Sequence, residues 1–132
     1  MNRIFVALTA TAGVLLLSVA VYAHHSTALY TADKQLTLKG TVTQWVWTNP
    51  HCFLKFDVTG EDGTVQHWAV ETQNPTDMTA RGFARTSFRA GDVVMLTVQP
   101  ARSGTPTGLL VTAMLPNGQT LHAVAAAAAP KP

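Results

Sequence analysis

Hydrophobic and polar residues alternate along several short segments of the chain, which predicts β-strands. The clearest case is residues 35–47, where Val42 and Val46 fall on one parity with other aliphatic residues, while Trp45 and Trp47 fall on the other. Strict alternation over this length is typical of a strand with one buried face, because successive side chains point to opposite sides. The segment therefore predicts a strand that begins the folded domain.

The same pattern predicts five further strands and one short helix. The further strands are predicted at residues 51–58, 64–71, 92–99, 108–115 and 119–124. Asn74 followed by Pro75 is typical of a helix start, and Gly82 would end a helix over residues 74–81. Three strands, a helix and then further strands predict an all-β fold with one short helix. We expect a small five- or six-stranded Greek-key barrel of the OB type, with a small β-sandwich as the alternative.

The amino-terminal residues have the pattern of a secretory signal. Arg3 precedes a long apolar stretch, and Val21-Tyr22-Ala23 places small residues where signal peptidase cleaves. The sequence thus predicts a signal peptide at residues 1–23 and a periplasmic or secreted protein without a stable membrane span after cleavage. An uncleaved anchor is the alternative. The predicted remainder is an N-terminal segment at 24–34, a barrel domain at 35–124 and a disordered Ala/Pro tail at 125–132.

The composition of the chain and the motifs that it lacks exclude several classes of protein function. Among 132 residues, nine Lys and Arg oppose seven Asp and Glu, for a net charge of +2. The basic residues are scattered singly, whereas nucleic-acid-binding domains gather them on one face, so we expect no nucleic-acid partner. A single cysteine excludes an intramolecular disulfide and multi-cysteine zinc or iron–sulfur sites. Since hydrolase and nucleotide-binding motifs are also missing, we expect a binding protein rather than an enzyme.

Aromatic residues are predicted on the face of the sheet that does not form the core. A loop at residues 48–50 would pair Trp45 with Phe53 across the first hairpin. Trp45, Trp47, Phe53 and His67 would then share the outer face, where large aromatic side chains are unusual unless something covers them. Either the N-terminal segment or the helix covers this face, or it binds a ligand or a partner protein.

The histidines are candidate ligands for copper. Cleavage after residue 23 would make His24 the first residue, whose α-amine and imidazole can together chelate Cu(II). His25 and His51 would add further imidazoles, and the predicted register places His51 opposite Glu71. A carboxylate that accepts a hydrogen bond from a ligating histidine is usual around protein-bound metals. In the alternative without a metal, His24 and His25 are ordinary polar residues at the start of the mature chain. His51 is then a turn histidine whose side chain bonds to Glu71.

Several motifs resemble those of a family of small exported proteobacterial proteins of unknown function. The motifs are His24-His25-Ser26, Lys39-Gly40-Thr41-Val42, Trp45-Val46-Trp47-Thr48-Asn49-Pro50-His51, Trp68-Ala69-Val70-Glu71, Arg81-Gly82 and Ala90-Gly91-Asp92. The resemblance covers nearly the whole mature chain and implies an exported β-rich domain, without an activity, substrate or cofactor. Two functions stay open: a periplasmic Cu(II)-binding module, and a metal-free module that binds a ligand or partner through its aromatic face.

Overall fold

The structure is a computed structural model that describes residues 29–124. Its elements in chain order are β1 (Leu36–Val46), β2 (Phe53–Thr59), β3 (Val65–Glu71), α1 (Pro75–Ala80), β4 (Val93–Pro100), β5 (Thr107–Met114) and β6 (Thr120–His122). These elements confirm the predicted strands and helix to within a few residues at each end. The predicted signal peptide, His24, His25 and the Ala/Pro tail lie outside the described residues.

Five of the strands close into a barrel. β1 pairs antiparallel with β2 and with β4, β2 pairs with β3, and β4 pairs with β5. A parallel pairing of β3 with β5, in which Val70 lies opposite Gly108, joins the two ends of the sheet. β6 extends the sheet beyond β5. This strand order, with α1 between β3 and β4, confirms the predicted OB-type Greek-key barrel over the sandwich.

The barrel is filled by the inward-facing side chains of its strands. Phe56 and Trp68 stack inside it, with ring centroids 6.2 Å apart. The fully buried strand residues include Val42, Leu54, Phe56, Val70, Leu96, Val98 and Leu110. α1 and the loop after it add Met78, Phe83 and Phe88 to the same core cluster. Because α1 follows the carboxyl end of β3, these residues close the barrel at that end and leave the other end to the loops.

The start of α1 follows from its sequence. The Asn74 side chain accepts a hydrogen bond from the Asp77 amide at 2.9 Å, which satisfies a donor that a helix start leaves unpaired. Pro75 occupies the first turn, where its missing N–H costs nothing. The chain leaves the helix through Gly82, whose φ of 88° favours glycine.

The β2–β3 hairpin keeps the predicted faces but not the predicted partners. Glu71 lies opposite Phe53 rather than opposite His51, so the predicted register is wrong by two residues. Since side chains alternate with a period of two, this shift leaves every residue on its predicted face. The turn lies one residue further along the chain than the sequence suggested.

A β-bulge reverses the faces at the end of β1. The register of β1 against β2 shifts by one residue at Thr43, so that Trp45 lies opposite Leu54 and Val46 lies opposite Phe53. The extra residue moves Trp45 to the core side and Val46 to the outer side. The prediction that Trp45 pairs with Phe53 on the outer face is therefore wrong, as is the inward placement of Val46.

Candidate functional site

Tyr30, Glu71 and His51 form a hydrogen-bonded network beside the carboxyl end of β3. The Tyr30 hydroxyl donates to Glu71 Oε2 at 2.8 Å. His51 Nδ1 lies 3.0 Å from Glu71 Oε1 and 2.9 Å from the carbonyl oxygen of Thr72. The structure thus brings His51 and Glu71 together, as the sequence predicted, although their backbones are not direct cross-strand partners.

The contacts of His51 define which ring nitrogen carries a proton. Both neighbours of Nδ1 are oxygen acceptors, a backbone carbonyl and a carboxylate, so Nδ1 is the protonated nitrogen that donates to them. In the neutral imidazole, Nε2 then keeps a free lone pair. The side chain is 34% exposed, so the ring is partly accessible to solvent. Such a ring is oriented, and its Nε2 lone pair can bind a metal.

The backbone around His51 is held by an extension of the β2–β3 pairing. The Cys52 amide donates to the carbonyl of Gln73 at 3.0 Å, and the Thr72 amide donates to the carbonyl of Cys52 at 2.9 Å. The buried Thr72 hydroxyl also bonds to the Cys52 carbonyl at 3.2 Å. Cys52 itself is fully buried. His51 therefore projects from a fixed position rather than from a free loop.

Tyr30 belongs to an N-terminal strap, residues 29–34, that runs against the β4–β5 loop. Tyr30 forms an antiparallel bridge with Ala101. The Arg102 amide donates to the Leu29 carbonyl at 3.0 Å, and the Arg102 Nε donates to the Tyr30 carbonyl at 3.1 Å. Tyr30 is only 9% exposed. The sequence reasoning missed this residue, and the available signal was that Tyr30 is the only aromatic residue between the predicted cleavage site and β1.

The environment of Tyr30 disfavours loss of its proton. Burial, followed by the hydrogen bond to Glu71 and the negative charge of that carboxylate, raises the pKa of the Tyr30 hydroxyl above its ordinary value of 10.0. The folded protein thus holds this proton more tightly than the unfolded chain does. The stability that it contributes is complete below about pH 10 and is lost as the pH rises above that value.

We expect the free energy of unfolding of the Tyr30→Phe variant to fall less steeply with alkaline pH than that of the wild type. Above about pH 10 the free energy of unfolding of the wild type should fall by at most ~1.4 kcal/mol per pH unit through this group, the limit for one proton. The variant lacks the titrating hydroxyl, so this component disappears. Urea unfolding at several alkaline pH values measures it. Parallel pH profiles for the two proteins would contradict the assignment.

The predicted aromatic face is not assembled as one surface. Trp45 donates from Nε1 to the Ala84 carbonyl at 3.0 Å and packs edge-on against Phe88, with ring centroids 5.1 Å apart. Trp47 lies beside it, at 5.5 Å between ring centroids. The segment that follows α1 thus contacts Trp45, which in turn packs against Trp47. Phe53 remains on the outer face, 36% exposed.

His67 lies away from the other predicted site residues. Its Nδ1 is 2.6 Å from Asp57 Oδ1, the side chain directly opposite it on β2. The predicted register, which was wrong by two residues, did not bring His67 and Asp57 together. Its side chain is 81% exposed, so the pair contributes little to stability.

The described residues supply only part of the predicted metal site. Within residues 29–124, no group of three or more His, Cys, Asp and Glu side chains is close enough to hold a metal ion. His51 offers one imidazole there, with Glu71 behind it. His24 and His25, the other two predicted ligands, lie outside the described residues.

The chain folds as a small OB-type barrel. Its N-terminal strap is attached to β3 by the hydrogen bond between Tyr30 and Glu71. The chain belongs to DUF6152, a family of unknown function, whose family model matches residues 12–112. This match confirms the expected membership of a family without a known activity, whereas export stays a prediction. No curated protein and no solved structure matches the chain. In the part of the chain that the structure describes, no helix is long and apolar enough to cross a bilayer.

Proposed function

We propose that this protein is an exported, periplasmic or secreted, copper-binding module. In this proposal the mature chain begins at His24, and its α-amine and imidazole hold Cu(II) together with His25 and His51. The observation that carries the proposal is the state of His51: Nδ1 donates to Glu71 and Thr72, which leaves Nε2 open to a ligand. Metal-bound histidines usually have this arrangement, in which a carboxylate or carbonyl holds the second ring nitrogen.

The N-terminal strap supports the proposal through the position of its Tyr30 side chain. Tyr30 contacts the same carboxylate as His51 does. His24 precedes Tyr30 by six residues, and an extended chain covers at most ~3.3–3.6 Å per residue. The new amino terminus can therefore lie no more than about 20 Å from Tyr30. That reach is ample for His24 or His25 to meet the His51 ring.

Each residue of the network has a distinct role in the proposed site. Nitrogen ligands from imidazole and amine suit Cu(II), which binds such groups more tightly than the other divalent metals of its row. Glu71 would fix the orientation of the His51 ring and make Nε2 a stronger ligand. Tyr30 would hold Glu71 in place through a hydrogen bond to the carboxylate oxygen that His51 does not contact. The α-amine of His24 would have to release a proton, since its ordinary pKa is about 8.

Glu71→Gln should weaken Cu(II) binding by about ten- to hundredfold, because the ring of His51 loses its charged hydrogen-bond partner. Competitive isothermal titration with Cu(II), on mature chain verified by mass to begin at His24, measures the change. His122→Ala is the matched control, because His122 is an exposed histidine on β6 without contact to the network. Equal affinities for the Glu71→Gln and His122→Ala variants would contradict the assigned role of His51.

A further inference from the structure

The barrel is open at the end opposite α1, where it forms a groove of about 500 Å³. Three segments line this groove: the chain that enters β1, the beginning of β3, and the β4–β5 loop. The residues that define its chemistry are Lys34, Leu36, Gln66, Trp68, Arg102 and Thr105. Barrel mouths are a common place for small-molecule sites, and pockets of about 300–1,000 Å³ accommodate them.

The floor of the groove is apolar and already ordered. Trp68 is 8% exposed and stacks on Phe56 beneath it. Its indole Nε1 donates to Gln66 Oε1 at 3.2 Å, which fixes the ring. Leu36 packs against the core beside it. A ligand would therefore meet a preformed apolar surface and would not have to order these side chains.

The rim of the groove is positively charged. Lys34 and Arg102 both line it, and neither forms an ion pair with a carboxylate within residues 29–124. The hydrogen bond from Arg102 Nε to the Tyr30 carbonyl at 3.1 Å orients the guanidinium and leaves its other N–H donors for a ligand. Asp33 is adjacent to Lys34 in sequence but does not line the groove.

We propose that this groove binds a small organic carboxylate with an apolar body. The apolar part would lie against Trp68 and Leu36, while the carboxylate would meet Lys34 and the guanidinium of Arg102, which matches carboxylates in shape and charge. The proposal is independent of copper, because it uses neither His51 nor the N-terminal histidines. It assigns a ligand class to a surface on the opposite end of the barrel from the α1 cap.

Benzoate is the test ligand, with benzamide as its neutral counterpart and inorganic phosphate as an anion without an apolar body. We expect benzoate to shift the NMR signals of the Trp68 indole N–H and the Arg102 Nε–H saturably, in chelator-treated protein. Benzamide and phosphate should each bind at least about tenfold more weakly, because benzamide lacks the carboxylate and phosphate lacks the apolar body. Titration of all three on the same sample gives the affinities.

Lys34→Gln should weaken benzoate binding about five- to tenfold, as expected for loss of one charge-assisted contact. Lys55→Gln is the matched control, because Lys55 is an exposed lysine on β2 that does not line the groove. Melting temperatures equal to that of the wild type would confirm that neither variant disturbs the fold. The proposal is overturned if benzamide or phosphate binds as tightly as benzoate, if the shifts map elsewhere, or if the two lysine variants bind benzoate equally.

Discussion

Replacing Trp68 with alanine should lower the free energy of unfolding by about 3–5 kcal/mol. Trp68 is 8% exposed, lies directly opposite Phe56 in the β2–β3 register and stacks on its ring at 6.2 Å. Its removal would leave a cavity in the barrel and withdraw a large apolar surface from packing. Urea unfolding, followed by circular dichroism, measures the loss.

The control for this change is Thr43→Ala. Thr43 is exposed at the β-bulge of β1, so its truncation should alter the free energy of unfolding by less than about 0.5 kcal/mol. A similar loss for both variants would contradict the assignment of Trp68 to the buried face and of Thr43 to the exposed face. A stable Trp68→Ala variant with an unchanged unfolding curve would contradict the packing described for the barrel.

Acetylating the α-amine of His24 should weaken Cu(II) binding by more than about a hundredfold, which exceeds the usual cost of losing an outer hydrogen bond. The acetylated nitrogen has no free lone pair, so it can no longer chelate the metal together with the His24 imidazole. Competitive titration with Cu(II) on both forms gives the ratio of affinities, and intact mass confirms each amino terminus.

Protein taken through the same procedure without the acetyl donor is the matched control, since its α-amine stays free. Equal Cu(II) affinities for the acetylated and native forms would exclude the terminal chelate. Retention of residues 1–23 in protein recovered from the periplasm would do the same, because His24 would then have no free amine. Neither result would bear on the groove at the barrel mouth, which is tested in chelator-treated protein.

Much of the fold is predictable because turn chemistry marks the ends of its elements. Asn74 and Pro75 begin α1 as expected, and Gly118 forms the tight turn before β6 with a φ of 84°. The order of elements around the helix then favours the OB-type barrel. Its closure rests on the parallel pairing of β3 with β5, which no local pattern encodes.

The register was less predictable than the elements. The two-residue error between β2 and β3 left the core residues correct, because it preserved the alternation of faces. The one-residue bulge at Thr43 did not preserve this alternation, and it turned Trp45 inwards. Neither glycine nor proline lies at the bulge to signal it, so regular alternation of Val42 and Val46 was misleading.

Only the part of the candidate site that lies within one hairpin was predictable from the sequence. His51 and Glu71 are joined by one hairpin, so the strand pattern brought them together despite the register error. Tyr30 is 41 residues from Glu71, and its hydroxyl reaches the carboxylate only because the strap lies against the β4–β5 loop. Contacts of this kind depend on the path of the whole chain and not on the spacing of residues.

The closure of the barrel also has a kinetic consequence. Val70 pairs with Gly108, so the closing contact joins segments that are remote in sequence, as the bridge between Tyr30 and Ala101 also does. Remote contacts require the ordering of long intervening loops before they stabilise anything, and chains of this topology fold in milliseconds to seconds rather than microseconds. Until closure, the edges of β3 and β5 that meet in the barrel have no partner. A newly made chain is therefore most prone to aggregate in the interval before these two strands meet.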